Sequence, residues 1–257
     1  MKQYKAYAKV NVFLKITGRR GVYHEILSRF VLVDDLYDTL SFEVKDSTDF
    51  SIIGDFNCTV AQNTIYKSYL ALLKATGSEA LERLMQTHAV KVDKKIPSFA
   101  GLGGGSSDAA TYLLMCNEVL HLGLSLNALA KIGSEVGADV PFFVYGYQSA
   151  NVSGIGEIVE KFDEEALKIE TYTPAVEIST PRVYQSFREN FYKELSMTEQ
   201  IEYAHRSSLE IFEQMDAMEA NDLFAPAQLL YPEIKAHHKE GWFFSGSGSS
   251  FFRIIKD

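Results

Sequence analysis

Cysteine is scarce: Cys58 and Cys116 are the only two in 257 residues. Two widely spaced cysteines cannot build a disulfide framework. Without a Cys-x-x-Cys pair they do not suggest a zinc site either. Long apolar runs are missing as well. Hydrophobic residues make up 46% of the chain, yet no stretch approaches the roughly 18 needed to span a bilayer. The start, Met1-Lys2-Gln3-Tyr4-Lys5, has no apolar core of the signal-peptide kind. Positive charge is not in excess: the formal net charge is −9, the opposite of a nucleic-acid binder's basic footprint. Together these absences set the expectation: a reducing cytoplasm, no membrane and no nucleic acid. A small anionic ligand remains open, because backbone N–H groups, a helix N-terminus and one or two lysines are enough to hold phosphates.

What is present is enough apolar sequence for one large domain or two small ones. Ala6, Ala8, Val10, Val12, Leu14 and Ile16 alternate with Lys5, Lys9, Asn11 and Lys15. That period of two predicts a half-buried strand with Lys9 and Asn11 on its polar face. Gly18–Gly21 reads as a turn, and strands are expected over 26–33, 39–44 and 89–93. Residues 64–75 carry apolar residues at helical spacing. A further helix should follow the glycine-rich segment, and another should run over 126–136 to a stop at Gly137. Pro141 then opens an expected strand over 142–145. Residues 196–220 read as helical, with Ser196 and Glu199 as a capping box. Residues 242–254 read as two strands around Ser245-Gly246-Ser247-Gly248-Ser249-Ser250. His237-His238 is most simply a solvated helix end. Strands and helices without regular βαβ alternation indicate an α+β fold. The boundary is placed near residue 150, with domains 1–150 and 151–257.

The chemistry concentrates in Gly101-Leu102-Gly103-Gly104-Gly105-Ser106-Ser107, followed by Asp108-Ala109-Ala110. Glycines let backbone N–H groups approach a phosphate, and the helix behind them points its positive end at the same place. No lysine follows, so this is not a Walker A loop. Ser106 stands where a Rossmann fingerprint needs its third glycine.

This turn resembles the phosphate-binding motif of the galactose, homoserine, mevalonate and phosphomevalonate kinase superfamily. Its long glycine run resembles the branch that acts on 4-diphosphocytidyl-2-C-methyl-D-erythritol. Ala8-Lys9-Val10-Asn11, Tyr23-His24, Asn63-Thr64, Gly137-Ala138-Asp139-Val140-Pro141, Thr180–Tyr184, Asn221-Asp222-Leu223 and Ser245–Gly248 match in the same order. Ser98-Phe99-Ala100 departs from the branch's more glycine-rich lead-in. The resemblance implies a two-domain α+β kinase with its active site in a cleft between the domains. ATP would be the co-substrate, Mg²⁺ would accompany it, and a small cytidyl alcohol would be the acceptor.

Residue by residue, the resemblance makes Lys9 and Asp139 the reaction pair. It puts Asn63, Lys94, Pro97, Gly101, Leu102, Gly103, Gly104, Gly105, Ser106 and Ser107 on ATP. Asn11, Tyr23, His24 and Tyr184 would contact the substrate, the aromatics stacking on its cytosine. Taken without the resemblance, Lys9 is equally a surface lysine, Asp139 a helix-end aspartate and Tyr23-His24 a turn flank. A mevalonate or homoserine kinase, or a nucleotide-binding regulator without catalysis, are the alternatives.

Overall fold

The computed structural model describes residues 2–193 and 195–255. Two long strands, β1 (Tyr4–Arg20) and β2 (Tyr23–Val44), pair with each other. They contribute to both of the compact units into which the chain divides. The first unit takes the residues up to Ala8, then Asp35–Ser98 and Gly103–Gly146. The second takes Lys9–Asp34, Phe99–Leu102 and everything from Tyr147 on. The change at Gly146 lies close to the boundary expected near 150, but residues 9–34 and 99–102 group with the later part of the chain.

In the first unit β3 (Ile52–Ile53), α1 (Thr64–Thr76), α2 (Glu79–Thr87), β4 (His88–Asp93), α3 (Gly104–Val119), α4 (Leu126–Ser134) and α5 (Val140–Tyr145) follow in order. β4 runs antiparallel to β2, setting Val92 opposite Leu40 and Val90 opposite Phe42. All four are buried, as the period of two requires. α3 packs on α1 and α5. Ala109, Leu113 and Cys116, on one face of α3, are fully buried, and Leu120, which continues the same spacing, caps the helix and is partly buried.

The second unit holds β5 (Ser149–Gly154), β6 (Ile158–Lys161), β7 (Ile169–Tyr172), α6 (Thr180–Asn190), α7 (Met197–His205), α8 (Ser208–Gln214), α9 (Ala217–Ala220), α10 (Phe224–Leu230), α11 (Ile234–His237), β8 (Phe243–Phe244) and β9 (Phe251–Ile254). β5 lies antiparallel to β2 and β6 to β5. β7, β9 and β8 form a separate sheet. A cluster including Leu14, Ile16, Ile26, Val183, Phe187, Phe224, Phe244 and Phe251 fills the interior.

Several expectations need correction. β1 is buried on both faces from Ala8 to Ile16; its polar positions are covered because they are paired, as described below. β1 runs on through Gly18 to Arg20, so the turn falls at Gly21-Val22. The two strands expected over 26–33 and 39–44 are one, since the exposed Asp34-Asp35 step stays extended. α4 ends at Ser134, short of Gly137. The apolar run after Pro141 is the helix α5, with the proline in its first turn, where a missing N–H costs nothing. A short apolar run cannot separate a buried strand from a buried helix by period alone. Residues 196–220 form three helices rather than one. Each opens with its own capping box, at Ser196, Ser207 and Asp216. His237 and His238 are partly buried. Their rings bond the Tyr172 hydroxyl and the Trp242 carbonyl.

Arg29 on β2 is fully buried. Its Nε donates to Asn151 Oδ1 at 2.7 Å and its Nη2 to the carbonyls of Ala204 at 3.0 Å and Arg206 at 3.2 Å. The guanidinium lies 3.2 Å from the Phe162 ring centroid, and Nη1 is 3.8 Å from Glu164. Burial lowers its pKa to about 10, against the pull of Glu164, so it stays charged at neutral pH. Removing one partner of a buried charge network costs about 3–5 kcal/mol. Arg29→Ala should lose stability on that scale in urea unfolding, whereas a loss below about 1 kcal/mol would mark the network as no better than a surface pair.

Candidate active site

The glycine-rich turn delivers α3 from an N-cap at Gly103, held at φ +73° with no side chain capping the helix. That left-handed backbone favours glycine. A helix opened in this way offers its first-turn N–H groups and the positive end of its dipole to an anion. The Thr64 hydroxyl donates to the Gly105 carbonyl at 2.6 Å, tying the start of α1 to the turn. Asn63 is buried and caps α1, its Oδ1 accepting from the Ile65 N–H at 2.9 Å. A Cβ on Gly104 would stand 2.9 Å from Ile96 Cγ2 and 3.6 Å from Lys94 Nζ. Bulk there is therefore opposed by the protein itself. A Cβ on Gly137 would lie 3.7 Å from Ser106 Oγ, so Gly137 borders the same helix start. Asp139 is half-buried and precedes α5 at φ −80°, ψ −11°. The Val140-Pro141 step after it, where a residue before proline favours extended backbone, is helical.

Lys94 forms ion pairs with Asp38 and with Asp108, the latter at 2.7 Å. Asp38 Oδ1 also accepts the N–H groups of Lys95 and Ile96, fixing the segment that leads to the exposed Pro97. Burial lowers the Lys94 pKa, but Asp108 and Asp38 outweigh it and the net direction is up. Asp108 is pushed up to about 7, first by burial and then by Asp38, against the attraction of Lys94. Two buried carboxylates share one ammonium, and a proton on Asp108 removes the surplus negative charge. Asp108 follows the glycine turn directly, which is a local signal. Asp38 lies 56 positions before Lys94, and nothing in the sequence links them.

In the second unit, Lys9 is 3% exposed. Its Nζ donates to Asn11 Oδ1 at 2.6 Å and to the Gly101 carbonyl at 3.2 Å, and it sits 4.4 Å from the Phe30 ring centroid. Asn11 Nδ2 donates to Ser28 Oγ at 3.0 Å, and that hydroxyl donates to the Phe13 carbonyl. The Lys9 N–H donates to the Leu102 carbonyl at 3.0 Å. Thus Lys9, Asn11, Gly101 and Leu102 are brought together by direct bonds. Tyr23 is exposed at the start of β2. The ring of His24 stacks on Tyr184 of α6, with centroids 5.2 Å apart and planes at 29°. Burial lowers the His24 pKa, followed by repulsion from Arg188 and Arg19, so the imidazole is neutral at pH 7. Its Nε2 is buried without a hydrogen-bond partner among the described residues.

The chain is 63% identical to the 4-diphosphocytidyl-2-C-methyl-D-erythritol kinase of Sulfurimonas denitrificans, over 99% of its own length and 97% of that protein's. It belongs to the 4-diphosphocytidyl-2-C-methyl-D-erythritol kinase family. Residues 63–147 match the model of the GHMP kinases N terminal domain. A crystal structure of 4-(cytidine 5'-diphospho)-2C-methyl-D-erythritol kinase superposes with a TM-score of 0.70 at 30% identity, covering 99% of this chain and 90% of that one. A homoserine kinase from Cytophaga hutchinsonii, at 19% identity and a TM-score of 0.63 over 99% and 87% of the two chains, shares the fold.

The family is one of small-molecule kinases, and ATP is its co-substrate. Among the described residues no helix is long and apolar enough to cross a membrane, and no three His, Cys, Asp or Glu side chains cluster as metal ligands do.

The Lys94 cluster predicts a pH dependence of stability. Below about pH 4 folded and unfolded chains both hold the Asp108 proton. From there to about pH 7 only the folded chain keeps it, so stability contributed by this group falls as pH rises through the window. Asp108→Asn removes the slope. Urea unfolding should show the variant gaining on wild type between pH 4 and pH 7, and parallel profiles would contradict the shared-proton arrangement.

Proposed function

We propose that the chain transfers the γ-phosphoryl group of ATP to the 2-hydroxyl of 4-diphosphocytidyl-2-C-methyl-D-erythritol, giving the 2-phosphate and ADP, in the non-mevalonate isoprenoid pathway. The observation that carries this reading is the uncapped, glycine-opened start of α3, in a chain 63% identical to a kinase of that name. Backbone N–H groups there receive the phosphates. Mg²⁺ bound to the nucleotide would supply neutralisation of the β and γ oxygens. We assign Asn63, Lys94 and Pro97 to the nucleotide as well.

Phosphoryl transfer to an alcohol requires the hydroxyl to be oriented and its proton removed while charge on the moving group is stabilised. We assign the first task to Asp139 and the second to Lys9, with Asn11 contacting the substrate near the transferred group. Tyr23, His24 and Tyr184 recognise the cytosine. The stacked rings of His24 and Tyr184 support this reading. The alternative acceptors, mevalonate and homoserine, are less favoured. The homoserine kinase named above resembles this chain at 19% identity, a level that speaks for the fold alone.

ADP release, followed by a coupled assay over a panel of alcohols, should be robust with the cytidyl alcohol and weak with mevalonate, homoserine and galactose. Turnover of mevalonate without turnover of the cytidyl alcohol would overturn the substrate assignment.

For the reaction pair, Asp139→Asn keeps the shape and removes the base. Its kcat should fall by about 10² to 10⁴, with ATP affinity from calorimetry little changed. Lys9→Ala should lose about 10² to 10³. A folded Asp139→Asn protein with near-normal kcat would remove the mechanism.

A further inference from the structure

Two matched motifs have no role in the reaction as described: Asn221-Asp222-Leu223, and the small-residue turn between β8 and β9. Both lie in the second unit, and hydrogen bonds join them to the strand that carries Lys9. Asn221 is 2% exposed. Its Nδ2 donates to the carbonyl of Phe244 at the end of β8 at 2.8 Å and to that of Gly246 in the turn at 2.9 Å, and its Oδ1 accepts from the Leu223 N–H at 2.9 Å. Asp222 binds β1: its carboxylate pairs with Lys15 and accepts the Ile16 N–H at 2.8 Å, and its own N–H donates to the Leu14 carbonyl at 2.9 Å. The Asn221-Asp222 step therefore fixes the turn relative to β1.

The turn in turn reaches the glycine segment. The Ser250 N–H donates to the Ala100 carbonyl at 3.0 Å, and Ser245 Oγ donates to the Gly101 carbonyl at 2.9 Å. That same carbonyl accepts Lys9 Nζ at 3.2 Å. A carbonyl oxygen has two lone pairs, and here one is taken by Ser245 and the other faces Lys9. Gly101 stands at φ +73°, so its own residue type does little to fix the direction of that carbonyl. A Cβ on Gly101 would lie 2.1 Å from the Ser245 carbonyl oxygen, and one on Gly246 would lie 3.3 Å from Asn11 Oδ1. The three segments are in contact around the ammonium.

We infer that Ser245 and Asn221 are positioning residues for Lys9: Asn221 fixes the turn, and Ser245 aims the Gly101 carbonyl that, with Asn11, holds the Lys9 ammonium. The kinetic part of the inference rests on Lys9 acting in phosphoryl transfer. The geometric part does not. Four rotatable bonds separate the Lys9 ammonium from the backbone, and a charge that must meet a moving phosphoryl group within about half an ångström needs fixed acceptors.

The test uses the full chain with Ser245→Ala, which removes one oxygen. Losing one such hydrogen bond should lower kcat by roughly threefold to tenfold, leaving the KM for ATP within about twofold. In a Lys9→Ala background the same substitution should cost nothing further, because the two act as a unit. Asn221→Ala should follow the same pattern, and Ser245→Ala decides the matter if that variant fails to fold. Equal losses in both backgrounds would overturn the inference. A second measurement needs no substrate. In competitive acylation of the lysines by acetic anhydride, read by mass spectrometry, Lys9 should label several-fold faster in Ser245→Ala relative to Lys94 in the same molecule. An unchanged ratio overturns the inference. If wild type releases no ADP with the cytidyl alcohol, the functional proposal fails, and the labelling ratio still decides whether Ser245 positions Lys9.

Discussion

An ammonium inside a strand covered on both faces must be met by acceptors, and Lys9 imposes that demand on the second unit. Leaving such a charge unpaired would cost several kcal/mol. Asn11 answers from two residues further along the same strand, where the period of two puts it on the same face. Gly101 answers from 92 positions away. Each acceptor is itself constrained, Asn11 by Ser28 and Gly101 by Ser245. Polar side chains in this interior are tolerated because the bonds form a connected network.

The first unit meets a related problem with the opposite sign. Lys94 stands between Asp38 and Asp108, so carboxylates outnumber the cation. Burial and Asp38 push the Asp108 pKa up to about 7, so below that pH a proton on Asp108 offsets the surplus. The arrangement holds the segment before the glycine turn through backbone N–H groups as well as through the ion pair. The helix start beyond it is left with glycines and no capping side chain. Neutral backbone donors suit a phosphate there, since a fixed dipole needs no countercharge when the site is empty.

In the reaction proposed above, the two clusters divide the work that phosphoryl transfer requires. Binding a polyphosphate calls for many weak, preoriented donors, which a glycine-opened helix supplies. Stabilising charge on a moving group calls for one strong cation held still, which a buried lysine with fixed acceptors supplies. In the same proposal Tyr23 and the stacked pair of His24 and Tyr184 add a different chemistry, the flat faces of aromatic rings. That combination is suited to a nucleobase and foreign to a small aliphatic acceptor.

The legible parts of this protein were the local ones. Helix α1, strand β4, the helix after the glycine turn, the Ser196 capping box and the hairpin of β8 and β9 could all be read from short-range patterns, because period, caps and turn residues act within a few positions. The glycine turn itself pointed to phosphate for the same reason: its chemistry lies in consecutive residues. Decisions made by distant partners were not legible. The polar face of β1 reads as exposed until Asp222, Gly101 and Ser28 are placed against it. Phe142–Tyr145 reads as a strand until α3 and α4 surround it, since an apolar run buried on all sides has no period to show. The pairing of Asp38 with Lys94, and of Asn221 with the β8–β9 turn, joins residues that no local spacing relates. The sequence by itself pointed to the glycine turn for phosphate chemistry and determined those helices and strands that local period, caps and turn residues mark. The tertiary structure alone decided which charges are buried and what neutralises them, because desolvation and pairing are set by neighbours in space.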